Sequence, residues 1–173
     1  EQASGGWHKH TTVNGAVESV TVVPEGDEDI VYLIIRRTVK GEVVRYVERM
    51  HERKFSALED AWCVDCGGEY IGDRTTEVKG LTWLEGETVN ILADGCVLPQ
   101  RVVEDGKVTL TQSARHVIVG LPITADLQTL PVAVQLADGS VGMGHMKNVN
   151  DVFMRVHKSS GVFVGPDFDN LVE

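Results

Sequence analysis

The stretch that decides the fold runs from Val17 to Arg49 and reads VESVTVVPEGDEDIVYLIIRRTVKGEVVRYVER. Apolar and polar residues alternate here in three runs, separated by the acidic segment Glu25–Asp29 and by Lys40-Gly41. The runs are rich in β-branched and aromatic residues, which favour extended backbone. Strand signals that recur about every ten residues predict an antiparallel meander, as in a sandwich, barrel or propeller blade.

The composition of the whole chain agrees with this prediction. The 173 residues are 42% hydrophobic, and 18 glycines against 5 prolines supply many turns. Valine is abundant, whereas alanine, leucine and lysine are too sparse for long helices. We therefore predict an all-β fold with a minor α component. The longest apolar runs span about five residues, far short of the ~20 that a membrane-spanning helix needs.

Two Asp-Gly pairs, Asp94-Gly95 and Asp105-Gly106, predict tight hairpins, because a type I′ turn needs positive φ at both central positions. They separate short predicted strands, which suggests a small β-barrel-like domain at 74–120. We expect it to be inserted into an outer, sandwich-like β-rich domain made of residues 1–73 and 121–173. A linear array of two small domains is the alternative. The four short strands are Thr75–Val78, Thr88–Ala93, Cys96–Val103 and Lys107–Leu110.

After that block the pattern predicts two further strands, and before it one helical segment. Longer alternation resumes from His116–Gly120 onward, and the strands cover Leu130–Leu136 and Val149–His157. The segment Phe55–Trp62 reads as one short helix or helical turn, with Ser56 as N-cap and Glu59 in the capping-box position.

The net charge of −10 and a sequence pI near 5.0 argue against a protein that binds phosphate backbones by counterion release. Three cysteines are an odd number, and a chain of this length does not need disulfides to fold. A reducing compartment is therefore expected.

Several sequence segments, which occur in the expected order along the chain, resemble the tail nozzle (tail tubular, or stabilisation) proteins of short-tailed bacteriophages. They include GWHKHTT at 6–12, ESVTVVPEGDEDIVYLIIRRT at 18–38, VVRYVERM at 43–50 and GLTWLEGETVNILADG at 80–95. Later segments are DGKVTL at 105–110, VGLPITADLQTLP at 119–131 and KNVNDVFMRVHKSSG at 147–161. The resemblance covers about residues 6–168.

This resemblance implies a structural component of a virion tail, made in the bacterial host cytoplasm, with no enzymatic activity. It implies self-association into a ring, expected to be six-fold, contact with other tail or adaptor proteins, and passage of DNA without specific binding. The first residues, Glu1 to Gly6, lack an initiator Met, so we expect an interior piece of a longer tail protein.

Four local patterns invite a chemical interpretation. Cys63 and Cys66 form a CxxC, but no second ligand pair follows, so free thiols are expected. His8 and His10 would share a strand face and could bind a metal with His51; polar surface residues are the preferred interpretation. Glu25–Asp29 lacks the spacing of a calcium loop, and Gly139–Gly144 lacks that of a phosphate-binding loop.

The sequence therefore predicts no catalytic, cofactor-binding or metal-binding residue. No nucleophile elbow is present, and the 26 acidic residues offer no distinctive pair. The alternative function is a β-sandwich module that binds a host-surface glycan or another tail protein. In that case two of the three tryptophans, Trp7, Trp62 and Trp83, should face one open cleft; an enzyme is the weakest class.

Overall fold

A computed structural model of the chain describes residues 9–52, 55–129, 148–157, 159 and 161–172. The all-β prediction is confirmed: the described residues form two antiparallel sheets and no long helix. No helix in these ranges is long and apolar enough to cross a membrane. The elements are β1 (Gly15–Glu25), β2 (Glu28–Val39), β3 (Glu42–Arg49), η1 (Leu58–Asp60), β4 (Val64–Lys79), η2 (Thr82–Leu84), β5 (Thr88–Ala93), β6 (Cys96–Val102) and β7 (Lys107–Pro122).

The first sheet is the predicted meander, with strand order β1-β2-β3. Two-residue turns join its strands, so the register is fixed by the loop length. Lys40 and Gly41 have φ values of 51° and 80°, as the I′ hairpin geometry requires. The acidic turn between β1 and β2 places only Gly26 at positive φ, 61°.

A β-bulge in β1 arranges the valines of this strand. Pairing with β2 shifts between Val17 and Ser19, so Val17, Val20 and Val22 lie opposite Ile35, Leu33 and Val31. Since those three β2 residues alternate along one face, all three valines lie on that face too. Without the bulge, Val17 would point to the other side.

The second sheet has strand order β4-β7-β5-β6 and holds the main core. Its core-facing side chains alternate along the strands, and the short turn η2 contributes the fully buried Leu84. The buried core cluster consists of Val78, Leu81, Leu84, Val89, Ile91, Ala93, Leu98, Val103, Val108, Leu110, Ala114, Val117, Val119 and Leu121.

Both Asp-Gly turns form as predicted, with φ of 47° and 77° at Asp94 and Gly95 and of 54° and 65° at Asp105 and Gly106. β5 has its predicted bounds and β6 ends one residue earlier than predicted, at Val102, whereas β4 and β7 are longer than the sequence indicates. Thr75–Val78 is the end of β4, and Lys107–Leu110 is the start of β7, which continues through His116–Gly120. The irregular pairing of β4 with β7, which shifts register three times, explains why the alternation looks broken in sequence.

The four-stranded sheet is open, with β4 and β6 at its edges in the part of the chain that is described. The barrel-like closure predicted for 74–120 is therefore not confirmed. β4 and β7 run through both ends of that predicted segment. The division into an inserted and an outer domain stays a prediction.

Buried and polar contacts join the two sheets. The guanidinium of Arg37, on β2, is buried and binds both carboxylate oxygens of Glu48 on β3, at 2.5 and 2.7 Å. Its third contact is the carbonyl oxygen of Val13. Val13 in turn packs against the core cluster and donates its N–H to Asp65 on β4, at 2.8 Å.

Two further hydrogen bonds connect the same sheets. The Tyr46 hydroxyl on β3 donates to the Trp83 carbonyl of η2 at 2.9 Å, and the Lys40 N–H donates to Glu87 at 3.0 Å. The first sheet is thus held to the second by a few specific polar contacts near one end of β2.

Two local predictions are wrong. The turn η1 has Ala57 as its N-cap and no side-chain cap, so neither Ser56 nor the capping box forms. Residues 149–157 contain no strand despite their alternation; their large apolar side chains are exposed, and no neighbouring strand pairs with them in the described residues. A strand needs such a ladder partner for its backbone groups. The predicted strand Leu130–Leu136 lies outside the described residues.

Residues 125–173 form a second compact unit. Its described part is irregular and contains one antiparallel bridge, in which Val164 and Val172 exchange both backbone hydrogen bonds, at 2.9 and 3.0 Å. The Asp167 carboxylate closes the turn between them by accepting from Asp169 N and Asn170 Nδ2.

Candidate functional site

A cleft of about 300 Å³ opens beside the start of β4. Its lining residues come from the segment after β3, from the η1 segment and from β4. Its polar lining carries three carboxylates. The lining residues are His51, Glu52, Phe55, Ser56, Asp60, Trp62 and Glu69.

An aromatic pair forms one wall of the cleft. The His51 imidazole stacks on the Trp62 indole with 4.7 Å between ring centroids and 12° between planes. The indole nitrogen of Trp62 is buried and has no hydrogen-bond partner within the described ranges. The Trp62 ring is therefore held by stacking on His51 and not by a hydrogen bond from its indole nitrogen.

Two of the lining carboxylates, Asp60 and Glu69, lie near His116 of β7. Its Nε2 lies 2.7 Å from Glu69 Oε1 on β4, and its Nδ1 lies 4.0 Å from Asp60 Oδ1 in η1. In the β4–β7 ladder, Glu69 pairs with Ile118 and His116 with Ile71, so the two side chains are diagonal neighbours on one sheet face. Only 14% of the His116 side chain is exposed.

The Asp94-Gly95 turn holds the backbone of His116 in place. Asp94 Oδ1 accepts the backbone N–H groups of His116 and Arg115, both at 2.9 Å, and these donors hold the pKa of Asp94 below its usual range. The Asp94 N–H donates to the His116 carbonyl at 2.8 Å. A Cβ at Gly95 would lie 3.2 Å from Leu58 Cβ, so the turn packs directly against η1.

The two cysteines of the CxxC lie in different environments. Cys63 is exposed, whereas Cys66 is half-buried next to Arg37 and Glu48. Burial, followed by the charge of Glu48, raises the pKa of the Cys66 thiol to about 12. A thiol that stays protonated is a poor nucleophile and a poor metal ligand, so Cys66 itself is poorly suited to either role near neutral pH.

The structure brings few of the other residues singled out from the sequence to one place. His10 is exposed on the segment before β1, and His8, Trp7 and Gly139–Gly144 lie outside the described residues. The Glu25 carboxylate of the acidic turn accepts hydrogen bonds from Tyr32 and, at 3.2 Å, from Arg49; the Tyr32 hydroxyl bond, the larger cause, lowers its pKa.

Of the two described tryptophans, only Trp62 lines the cleft. Trp83 packs against the core cluster and donates its indole N–H to the Cys66 carbonyl at 3.2 Å. The pair of tryptophans expected of a glycan-binding cleft is therefore not formed by these two residues.

The sequence did not identify the four residues Glu59, Asp60, Glu69 and His116 as a group. The pattern predicts Glu59 in a helix cap and His116 at the start of an alternating stretch. These residues lie up to 57 positions apart and no motif spacing links them. The signal that the sequence offers is a histidine at the start of an apolar run, which is common in any sheet.

No model of a known protein family matches the chain, and no curated protein matches it.

Proposed function

We propose that this protein is a structural component of a bacteriophage tail, of the tail nozzle type, which acts in tail assembly and forms part of the conduit for the genome. In this role the chain self-associates into a ring and contacts other tail or adaptor proteins. The observation that carries the proposal is the exposed apolar surface of β1, which is an edge strand of the first sheet.

The β1 apolar edge, defined here as Val17, Val20 and Val22, has relative exposures of 53%, 61% and 55%. These residues share one face because of the bulge. Beyond β1, in the described part of the chain, no strand continues this sheet. An exposed strand edge with apolar side chains favours pairing with another chain. A second copy that contacts this edge through a different surface of its own would form the head-to-tail contact that a closed ring uses.

The charge of the chain supports the conduit part of the proposal. With 26 acidic against 16 basic residues, the surface repels a phosphate backbone. Several of the arginines are also paired: Glu18 at the bulge binds Arg45 at 2.7 Å and Arg36 at 3.3 Å. DNA could therefore pass such a ring without being retained.

Electron microscopy of the complete gene product tests the proposal. We expect closed rings with a central channel, and we expect the double variant Val20→Glu/Val22→Glu to disperse them into monomers. Val43→Glu/Val47→Glu, on the other edge strand, β3, serves as the matched control and should leave the rings intact. A monomeric wild-type protein, or rings unaffected by the β1 variant, would contradict the proposed role of this edge.

A DNA-cellulose column provides a second measurement. At roughly 0.15 M salt the protein should pass without retention. Salt-sensitive retention would exclude a passive conduit.

The second candidate function is a glycan-binding module, which rests on the position of Trp62 beside three carboxylates in the cleft. An aromatic ring and carboxylates are a common pairing for a sugar ring and its hydroxyls. A glycan array with the wild type and Trp62→Ala tests it. Binding that the substitution abolishes would favour this function over assembly.

A further inference from the structure

The surroundings of His116, next to the cleft residues Asp60 and Glu69, bring together ligand types that metals use. One donor atom from each of Glu59, Asp60 and His116 lies within 4.8 Å of the others. Two of these residues come from η1 and one from β7, so the group spans two parts of the fold. Imidazole nitrogen with carboxylate oxygens is a donor set that suits first-row divalent metals, zinc above all.

The orientation of His116 is the independent observation. Its Nε2 faces Glu69 at 2.7 Å, and Glu69 is not one of the three clustered residues. A carboxylate accepts hydrogen bonds, and a neutral imidazole whose Nε2 donates to it keeps a lone pair on Nδ1. That lone pair lies on the side of Asp60. Metal-binding histidines typically donate their second ring N–H to a carboxylate in this way.

The backbone is fixed both at His116 and at η1, while the carboxylates of Glu59 and Asp60 can still change their orientation. The Asp94 side chain and N–H bind the backbone of Arg115 and His116, and Gly95 packs on Leu58. The Asp60 side chain is 49% exposed. Two donors each ~2.1 Å from one ion lie roughly 3.4 Å apart in a tetrahedral site. The donor atoms lie within 4.8 Å of one another, so rotations of the exposed Glu59 and Asp60 side chains could bring them to this tetrahedral spacing.

We propose that His116 Nδ1, Asp60 and Glu59 bind one divalent transition-metal ion of the zinc class, with Glu69 orienting the imidazole. Two carboxylates balance the charge of the ion. Three protein ligands leave a fourth coordination position open. Asp60, one of the three ligands, and Glu69 also line the cleft. The ion would tie η1 to β7 and thereby stabilise the turn.

Isothermal titration calorimetry of the full chain with ZnCl₂ tests the site. Cys63 and Cys96 are exposed and could bind zinc themselves, so the titration uses the Cys63→Ser/Cys96→Ser background. We expect one ion per chain and a rise in melting temperature on zinc addition. His116→Ala should lose binding, and Glu69→Gln should weaken it by about 10–100-fold. His157→Ala removes a different, exposed imidazole and should bind like the parent.

Asp60→Asn and Glu59→Gln alter only exposed side-chain atoms, so they keep the test valid if His116→Ala misfolds. Each should weaken zinc binding at least tenfold. Co²⁺ in place of zinc should give a visible absorption spectrum of low-coordinate cobalt that His116→Ala abolishes. Absence of zinc binding, or binding that is insensitive to all four substitutions, would overturn the proposal. Equal affinity for Ca²⁺ would also overturn it, since calcium prefers oxygen ligands alone.

Discussion

The two sheets of this protein differ in how they are stabilised. The four-stranded sheet surrounds a cluster of 14 buried apolar residues. In the three-stranded sheet the buried residues are Ile30, Ile35, Arg37 and Val39, all on the central strand, whereas every residue of β1 after Gly15 is exposed. Both sheets have the same alternation in sequence. Alternation therefore shows that a strand forms, but not whether its apolar face is covered.

This difference assigns a separate role to each sheet. Hydrophobic burial stabilises the four-stranded sheet in the usual way. The three-stranded sheet depends on a buried ion pair and on hydrogen bonds to its neighbour, and its β1 valines are exposed. The predictions below test this contrast.

The largest expected effect concerns Arg37, which connects the two sheets. Arg37→Met should lower the free energy of unfolding by about 3–5 kcal/mol, because it leaves the Glu48 carboxylate, 17% exposed, without its partner. Urea unfolding followed by circular dichroism measures this. The double variant Arg37→Met/Glu48→Met should recover much of the loss. If the double variant is as unstable as the single one, the cost comes from lost packing and not from the unpaired charge.

Truncation of apolar side chains compares the two sheets directly. Leu84→Ala empties a site with no exposure under the four-stranded sheet and should cost about 2–5 kcal/mol. Val47→Ala, at a residue that is 73% exposed on β3, should change the free energy of unfolding by less than about 1 kcal/mol. The same urea titrations apply. Equal costs would show that the three-stranded sheet buries its apolar face after all.

Cys66 lies at the boundary between the sheets and should make stability depend on alkaline pH. Its folded pKa is about 12, above the ordinary value of 9.0. The folded state therefore holds this proton more tightly than the unfolded state. The resulting stability is complete below about pH 9 and is lost as pH rises towards 12, by up to about 1.4 kcal/mol per pH unit.

Urea unfolding of the wild type and Cys66→Ala between about pH 8 and 10.5 measures this dependence. The variant should have a flatter profile above pH 9, although Tyr46, whose pKa burial also raises, contributes in both proteins. Parallel profiles would mean that the Cys66 thiol has the same pKa in the folded and the unfolded protein.

The smallest effect concerns the hairpin turns. Gly95→Ala and Gly26→Ala both place a side chain at positive φ, 77° and 61°, which should cost about 1 kcal/mol. Only at Gly95 does the new Cβ approach other atoms, Leu58 Cβ at 3.2 Å and Glu59 N at 3.3 Å. Gly95→Ala should therefore be the more destabilising of the two in urea unfolding. Equal effects would argue that η1 does not pack on this turn.

The sequence alone determined the fold class, the meander and both Asp-Gly hairpins. These features depend on local rules: period-two alternation, β-branched residues, and turn positions that only Gly, Asn or Asp adopt easily. The same local rules failed for Val149–His157, because alternation without a neighbouring strand leaves the backbone unpaired. They failed at Ser56 as well, since η1 is only three residues long and packs on Gly95.

Tertiary structure alone decided which faces are buried and which side chains meet. The bulge at Glu18 places Val17 on the same face as Val20 and Val22, and no residue type in the sequence predicts it. The cluster of Glu59, Asp60 and His116 with Glu69 exists because the β4–β7 ladder and the packed Asp94-Gly95 turn bring distant segments together. Strand pairing joins residues through backbone hydrogen bonds that every sequence offers, so the partners of a strand are set by the whole fold and not by its own residues.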